Sequence, residues 1–292
     1  MNLIQISNSR RSVTIATALI GVLSLAIGAH AALNQRTTVV PDVVSVEQSV
    51  EIPGKASRIA LVIGNGHYPD ANAPLAQPIN DARGLTTSLR HDGFDVEVVE
   101  DASKDDMDQA IGRLKSKIKP DSVVMVFFGG YGIQVGSENY MIPVDAAIWK
   151  ESDVRHNGIS VESVLEMMKE QGACAKLVVI DAARRNPYER RFRAYSHGLA
   201  QIKAPDNALI LTSAMPDKVA DDSAGQNSAL MSELLNNLTD RQLDKSDAET
   251  VFDNTRLAVA RASEGEQVPS LSGLLQEDVR FGMTENTANA GG

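Results

Sequence analysis

The chain has 292 residues, of which 43% are hydrophobic and 23% charged, so it has room for one large globular domain or two small ones. Its formal net charge of −10 at pH 7 argues against nucleic acid or an anionic lipid surface as the main partner. A single cysteine, Cys174, excludes an intrachain disulfide.

The first 35 residues predict a targeting segment. Arg10 and Arg11 precede residues 12–35, which contain no Lys, Arg, Asp or Glu and are rich in Ala, Ile, Leu and Val. Ala29-His30-Ala31 fits the small-x-small rule of signal peptidase, but the run is also long enough for a spanning helix. A cleaved signal and an uncleaved anchor both stay open. Either one predicts an exported protein, periplasmic or anchored in the membrane by residues 12–35.

After a predicted linker at residues 36–56, apolar runs alternate with amphipathic segments as far as residue 282. The alternation implies βαβ units and a parallel sheet with helices on both faces. The predicted fold class is therefore a three-layer α/β domain over residues 57–282, followed by a disordered tail at 283–292. Strands are predicted over 59–64, 94–99, 123–128, 177–182 and 208–213, and a short extended piece over 139–143. Helices are predicted over 79–91, from Ser103 to 118, from Ser160 onward, and over 228–238 and 248–262.

The stretch KLVVIDAARRNPY, residues 176–188, is predicted to lie at the centre of the sheet. Its continuous apolar run, Leu177 to Ile180, is typical of a strand that is buried on both faces. In open α/β sheets, ligands bind at the carboxyl ends of such strands. Residues 181–185 are therefore expected to line a site.

This stretch resembles the DACRNNPF segment of bacterial caspase-like cysteine peptidases, the orthocaspase and metacaspase relatives. Residues 129–132, GGYG after an apolar strand, are similar to the SGHG motif of that family. The resemblance implies a caspase-haemoglobinase fold, in which a mostly parallel six-stranded sheet lies between helices. Other similar segments follow in family order: RIALVIGNGHYPDANAPLAQPINDARGLTTSLRHDGFDV, ENYMIPVDA, ALILTSAMPDKVADD, NSALMSELL and QVPSLSGLL.

Both members of the family's catalytic dyad are replaced. Ala183 stands at the position of the nucleophilic cysteine, and Tyr131 at that of the histidine. A methyl group cannot attack a carbonyl, and a phenol with a pKa of about 10 is a poor general base. Losing the nucleophile typically lowers turnover on the order of 10⁶-fold. The family activity, a cysteine-type endopeptidase specific for Arg or Lys, is therefore expected to be absent.

The resemblance also implies a cation pocket. In the metacaspase branch two acidic residues line the pocket for Arg or Lys, and they match Asp81 and Asp181. Three interpretations stay open for these carboxylates: a retained pocket, structural groups satisfied by backbone donors, or an internal ion pair with Arg184 or Arg185. No metal or cofactor is expected, because no metal-ligand spacing occurs and the glycine-rich turns complete no phosphate-binding pattern.

Other candidate groups are weaker. Cys174 precedes the strand at the end opposite the site, roughly 20 Å away, and is expected to be a small residue at a helix–strand junction. Ser213 ends a neighbouring strand but has no evident base. His67 is the histidine expected near the site, whereas His91, His156 and His197 are expected at the surface.

A basic loop follows Ala183. It is interpreted as a solvated loop, as a docking surface for an acidic partner, or as the source of a pseudo-substrate arginine in the acidic pocket. Its arginines are Arg184, Arg185, Arg190, Arg191 and Arg193.

Three hypotheses of function follow. The first is a pseudopeptidase that binds a basic peptide or protein segment through Asp81 and Asp181, with an active caspase-like relative as one partner. The second is a hydrolase with an unidentified nucleophile. The third is a structural envelope protein with a vestigial cleft.

Overall fold

The computed structural model describes residues 56–69, 74–188, 191, 198–220, 225–239 and 247–282. The predicted targeting segment, the tail at 283–292 and all of the linker except Ala56 lie outside these residues, so they stay predictions. Within the described part of the chain, no helix has the length and apolar character needed to cross a membrane.

A six-stranded sheet forms the centre of the domain. Its strands are β1 (Arg58–Gly64), β2 (Asp95–Glu100), β3 (Val123–Gly129), β7 (Ala175–Asp181), β8 (Ala208–Thr212) and β9 (Ser270–Leu274). They lie in the order β2-β1-β3-β7-β8-β9, and all neighbours are parallel except β8 and β9. The strands β3 and β7 are buried along their whole length, because their apolar side chains project from both faces of the sheet and both faces are covered.

In the described part of the chain, six helices accompany the sheet: α1 (Pro78–His91), α2 (Lys104–Lys117), α3 (Glu151–Asn157), α4 (Val161–Glu170), α5 (Ala229–Thr239) and α6 (Ala248–Ala262). One face of β1, with Leu61 and Ile63, shares an apolar cluster with α2 and α4. The other face, with Ala60 and Val62, shares a second cluster with α1, α5 and α6. The predicted three-layer α/β fold is therefore confirmed.

A small antiparallel sheet lies beside the large one. It consists of β4 (Gly132–Val135), β5 (Glu138–Met141) and β6 (Ile159–Ser160). Around it a third apolar cluster contains four tyrosines, Tyr68, Tyr131, Tyr140 and Tyr188, with aliphatic residues such as Ile133. We call this group the tyrosine cluster, and it places a second packed region next to the carboxyl end of β3.

The first and last segments of the described domain meet near the amino ends of the parallel strands. Arg58, the first residue of β1, donates from Nη2 to the carbonyl oxygen of Arg280 at 2.7 Å. Phe281 stacks near Phe94 and Phe252, with ring centroids 6.4 and 6.5 Å apart. The segment around residue 281 is therefore fixed at the amino ends of the parallel strands.

Candidate functional site

The GGYG segment begins at the end of β3 and the DAARR segment at the end of β7, and the two neighbouring strands end side by side. In the parallel register of β3 and β7, Gly129 lies opposite Asp181. Beyond the strand ends, the N–H of Gly130 donates to the carbonyl of Asp181 at 3.3 Å, and that of Gly132 to the carbonyl of Ala182 at 3.0 Å. The loops that carry Tyr131 and Ala183 are therefore side by side, as the family resemblance implies for the dyad positions.

Ala183 is part of the core and is only 1% exposed. It belongs to the same apolar cluster as Leu199, Ala214 and Ala220. Its N–H donates to Ser213 Oγ at 3.3 Å, and its carbonyl accepts the N–H of Ala220 at 2.7 Å. A thiol at this position would be surrounded by apolar groups, which raise the pKa of a cysteine and make it unreactive.

Tyr131 packs in the tyrosine cluster. Its ring makes an edge-to-face contact with Tyr68, with centroids 4.8 Å apart. The backbone N–H of Tyr131 donates to the Tyr68 hydroxyl at 3.1 Å, and this hydroxyl donates to the carbonyl of Ile142 at 3.0 Å. Burial raises the pKa of Tyr68 above its ordinary value. The residue at the histidine position therefore contributes aromatic packing, which stabilises the loop.

The glycines of the GGYG segment allow close approach of neighbouring side chains. A Cβ atom on Gly130 would lie 2.5 Å from the Tyr68 hydroxyl and 2.8 Å from Phe128 Cζ. On Gly132 it would lie 2.8 Å from both the Ala182 carbonyl oxygen and Leu199 Cδ2. The close contacts at both glycines show that this segment is a packed turn.

Gly130→Ala should lower the free energy of unfolding by about 1–3 kcal/mol, because the added methyl group overpacks the Tyr68 hydroxyl. Gly112 in α2 is the matched control: nothing lies within 4 Å of its added Cβ, so Gly112→Ala should stabilise the protein by up to about 1 kcal/mol. Urea denaturation measures both. Equal effects of the two substitutions would contradict the packing argument.

The structure brings Asp81 and Asp181 together. Asp81, in the first turn of α1, is fully buried, and Asp181, the last residue of β7, is 2% exposed. Burial, and then the nearby charge of Asp181, raise the pKa of Asp81 to about 7. Asp81 Oδ1 accepts hydrogen bonds from Asn227 Nδ2 at 2.8 Å and from the N–H of Ser228 at 3.1 Å.

Arg184 completes this buried charged group. Its Nη1 donates to the carbonyl of Gly130 at 2.9 Å and to that of Asp181, and lies 3.6 Å from Asp181 Oδ1. The internal ion pair considered from the sequence is therefore present. The second oxygen, Asp181 Oδ2, is buried and accepts no hydrogen bond from any described residue. Among the described residues, the group contains two carboxylates and one guanidinium, and these three side chains carry a net charge of −1 when both carboxylates are ionised. We call Asp81 and Asp181 the acidic pair.

Of the alternative nucleophiles, Ser213 contacts a dyad position, whereas Cys174 does not. Cys174 lies directly before β7, at the end opposite the site, and burial raises the pKa of its thiol. The hydroxyl of Ser213 accepts the N–H of Ala183. His67 Nδ1 lies 2.5 Å from Asp101 Oδ2, and Asp101 also accepts the N–H groups of Gly66 and His67 at 2.8 and 2.9 Å.

The remaining histidines agree with expectation where the structure describes them. His91 and His156 are exposed, and His197 lies outside the described residues. In the described ranges no group of three or more His, Cys, Asp or Glu side chains could hold a metal ion.

Sequence reasoning missed several residues that shape the site. Asn227 and Ser228 hold Asp81 from a segment 146 and 147 positions away in the chain. Asp101 adopts a left-handed backbone with φ of 48°, which no local pattern indicates. The Tyr68 hydroxyl bridges the turn at Tyr131. Arg190 and Arg193 of the basic loop lie outside the described residues.

Comparisons with known proteins place the chain in a family. A family model described as "Caspase domain" matches residues 57–280. The human "Mucosa-associated lymphoid tissue lymphoma translocation protein 1" is 27% identical over 144 residues, which are 49% of this chain and 17% of that protein. Its mouse homolog is 27% identical over 138 residues, 47% of this chain and 16% of the homolog. The chain thus spans less than a fifth of these relatives' length. Because the family model covers well over half of the chain, this protein belongs to the caspase domain family.

Proposed function

We propose that this caspase-domain protein is a pseudopeptidase that binds a basic segment, with Arg or Lys at the acidic pair, and does not cut it. The observation that carries the proposal is the buried oxygen Asp181 Oδ2, which has no donor among the described residues and lies near a second carboxylate. A buried acceptor without a partner costs free energy. A guanidinium supplies both the missing donors and the missing positive charge.

The contacts of Arg184 support a binding role. Its ion pair with Asp181 is long, at 3.6 Å, whereas its bond to the Gly130 carbonyl is 2.9 Å. An incoming guanidinium would therefore bind the side chain of Asp181 while Arg184 keeps its backbone partners. The acidic pair is covered in this structure, so the ligand must displace neighbouring atoms. The segment at 227–228, which donates to Asp81, is one such cover.

The backbone around Ala183 supports binding without cutting. Peptide cleavage by this family needs N–H groups that point at the developing oxyanion. The N–H of Ala183 already donates to Ser213 Oγ, and that of Gly132 donates to the Ala182 carbonyl. Together with the missing thiol, these internal bonds favour a site that holds a segment and leaves its peptide bonds intact.

Asp181→Asn should weaken binding of an arginine peptide about 10- to 150-fold, because a hydrogen bond between charged groups contributes roughly 1.5–3 kcal/mol. The measurement is fluorescence polarisation of a labelled peptide with the full chain, beginning with basic loops of active caspase-like relatives. Asp92→Asn is the matched control, since Asp92 is also buried, with a pKa raised by burial, but follows the last turn of α1. It should leave the affinity unchanged.

A second control replaces arginine by citrulline, which keeps the shape of the side chain and removes its charge. The citrulline peptide should bind no better than Asp181→Asn binds the arginine peptide. Equal binding of both peptides, or full affinity in Asp181→Asn, would show that the acidic pair does not bind a cation. The structural hypothesis with a vestigial cleft would then be preferred.

A further inference from the structure

Arg191 lies in a small cage of aromatic and carbonyl groups. Its guanidinium carbon is 4.4 Å from the ring centroid of Trp149 and 5.3 Å from that of Tyr188. Its Nη1 donates to the carbonyl of Ile148 at 2.8 Å. We call the two rings and this carbonyl the Trp149 cage. It combines groups from two loops that are about 40 residues apart in the chain.

The chemistry of the Trp149 cage suits a guanidinium. A planar cation can stack on an indole and at the same time donate an N–H to a carbonyl in its plane. Trp149 remains 64% exposed although Arg191 contacts it, whereas Tyr188 is almost completely buried. The ring that holds Arg191 is thus accessible to a ligand from solvent.

The chain connects the cage directly to the acidic pair. The segment from Asp181 to Tyr188 begins with the buried Arg184 contacts and ends with the buried ring of Tyr188. Fully extended, these residues would span at most about 25 Å from the first Cα to the last. A basic segment whose two arginines are separated by several residues can therefore reach both places.

We propose that the Trp149 cage is a second cation-binding position, occupied by Arg191 in the free protein and taken over by an arginine of the bound basic segment. The inference rests on the proposed function, because the first arginine of that segment binds the acidic pair. Arg191 competes from within the chain at a high effective concentration. It therefore lowers the affinity for ligands that carry a second arginine.

Two substitutions should move the affinity in opposite directions. Arg191→Ala empties the cage and should raise the affinity for peptides with two arginines two- to fivefold, whereas Trp149→Leu should lower it by a similar factor. A peptide with a single arginine should bind both variants as it binds the parent. Peptides with one to five glycines between the arginines are compared by polarisation. Arg155→Ala removes an exposed charge paired with Glu138 and is the control for net charge.

Trp149 is the only tryptophan of the chain, so its fluorescence reports the cage directly. In Arg191→Ala, the peptide with two arginines should change this fluorescence saturably, and the peptide with citrulline at the second position should not. If both Arg191→Ala and Trp149→Leu raise the affinity, the contact between Arg191 and Trp149 only restrains the protein without binding the ligand, and the inference is wrong. It is equally wrong if neither substitution changes the affinity.

The inference and the proposed function can fail separately. In Asp181→Asn/Arg191→Ala the acidic pair is damaged and the cage is empty. Suppose that the two-arginine peptide changes the fluorescence of this variant and that the parent does not bind the single-arginine peptide. The Trp149 cage would then be a binding position, and the acidic pair would not. If the parent binds the single-arginine peptide tightly and the fluorescence of Trp149 in Arg191→Ala does not respond to the two-arginine peptide, the acidic pair is a binding site and the Trp149 cage is not.

Discussion

Asp81→Asn should raise the free energy of unfolding at pH 8 by up to about 4 kcal/mol. Burial and the charge of Asp181 raise the pKa of Asp81 to about 7 in the folded protein, whereas an aspartate in an unfolded chain titrates near 3.9. Each pH unit between these values contributes about 1.4 kcal/mol. Asparagine keeps an oxygen that accepts from Asn227 and Ser228 but carries no charge.

The direction of the pH dependence follows from the raised pKa. Between pH 4 and pH 7 the folded protein binds a proton at Asp81 that the unfolded chain has released. The contribution of this group to stability is therefore present below about pH 4 and is lost as the pH rises through about 7. The difference in stability between Asp81→Asn and the parent should be near zero at pH 4 and reach its maximum above pH 7.

Urea denaturation of both proteins at pH 4, 6 and 8 measures this difference. Asp106→Asn is a control of opposite sign, because hydrogen bonds from Ser103 in the α2 capping box lower the pKa of Asp106. That variant should lose stability at neutral pH. If Asp81→Asn is destabilising at pH 8, Asp81 is a satisfied structural carboxylate. A stabilising effect combined with lost peptide binding would mark a group kept for function at the expense of stability.

The double variant Tyr131→His/Ala183→Cys should not regain peptidase activity. The parent should give only background hydrolysis of a fluorogenic peptide ending in arginine, because removal of a nucleophile lowers turnover on the order of 10⁶-fold. In the variant the new thiol would lie in the apolar cluster around Ala183, where burial keeps it protonated. The N–H of residue 183 would also remain bonded to Ser213 Oγ.

Thiol labelling shows whether a buried, protonated cysteine accounts for the lack of activity of the double variant. In a Cys174→Ala background, the rate of iodoacetamide labelling reports the cysteine at position 183 alone. We expect slow labelling that increases when the protein is unfolded. Hydrolysis after arginine at rates of active peptidases would show that the site opens in solution, with acidic pair and oxyanion donors intact. Turnover by the parent itself would contradict the pseudopeptidase proposal.

The sheet was predictable because its strands have strong local patterns. The strands β1, β3 and β7 are continuous apolar runs, and Ser103 and Ser160 cap α2 and α4 as predicted. The meeting of the two motif loops followed from parallel pairing of their strands. In contrast, α3 is mostly polar and buries only Val154. The edge strand β9 is Ser-Leu-Ser-Gly-Leu, which has no β-branched residue to indicate a strand.

The immediate surroundings of the site were not predictable from local patterns. Asp81 and Asp181 were identified through the family resemblance, but their burial depends on segments distant in the chain. Asn227 contacts Asp81 only because α5 packs beside α1. The burial of Ala183 depends on the segment near Ala220, which donates to its carbonyl. Such contacts depend on tertiary packing, which a local sequence pattern does not encode.

The contact between Arg58 and Arg280 has a consequence for how the protein can be attached to a surface. Both residues lie where β1 begins, and the acidic pair lies at the carboxyl ends of the strands, about 20 Å away along a seven-residue strand. A tether attached before Arg58, or a tag attached after Gly282, therefore joins the domain at the end of the sheet opposite to the acidic pair.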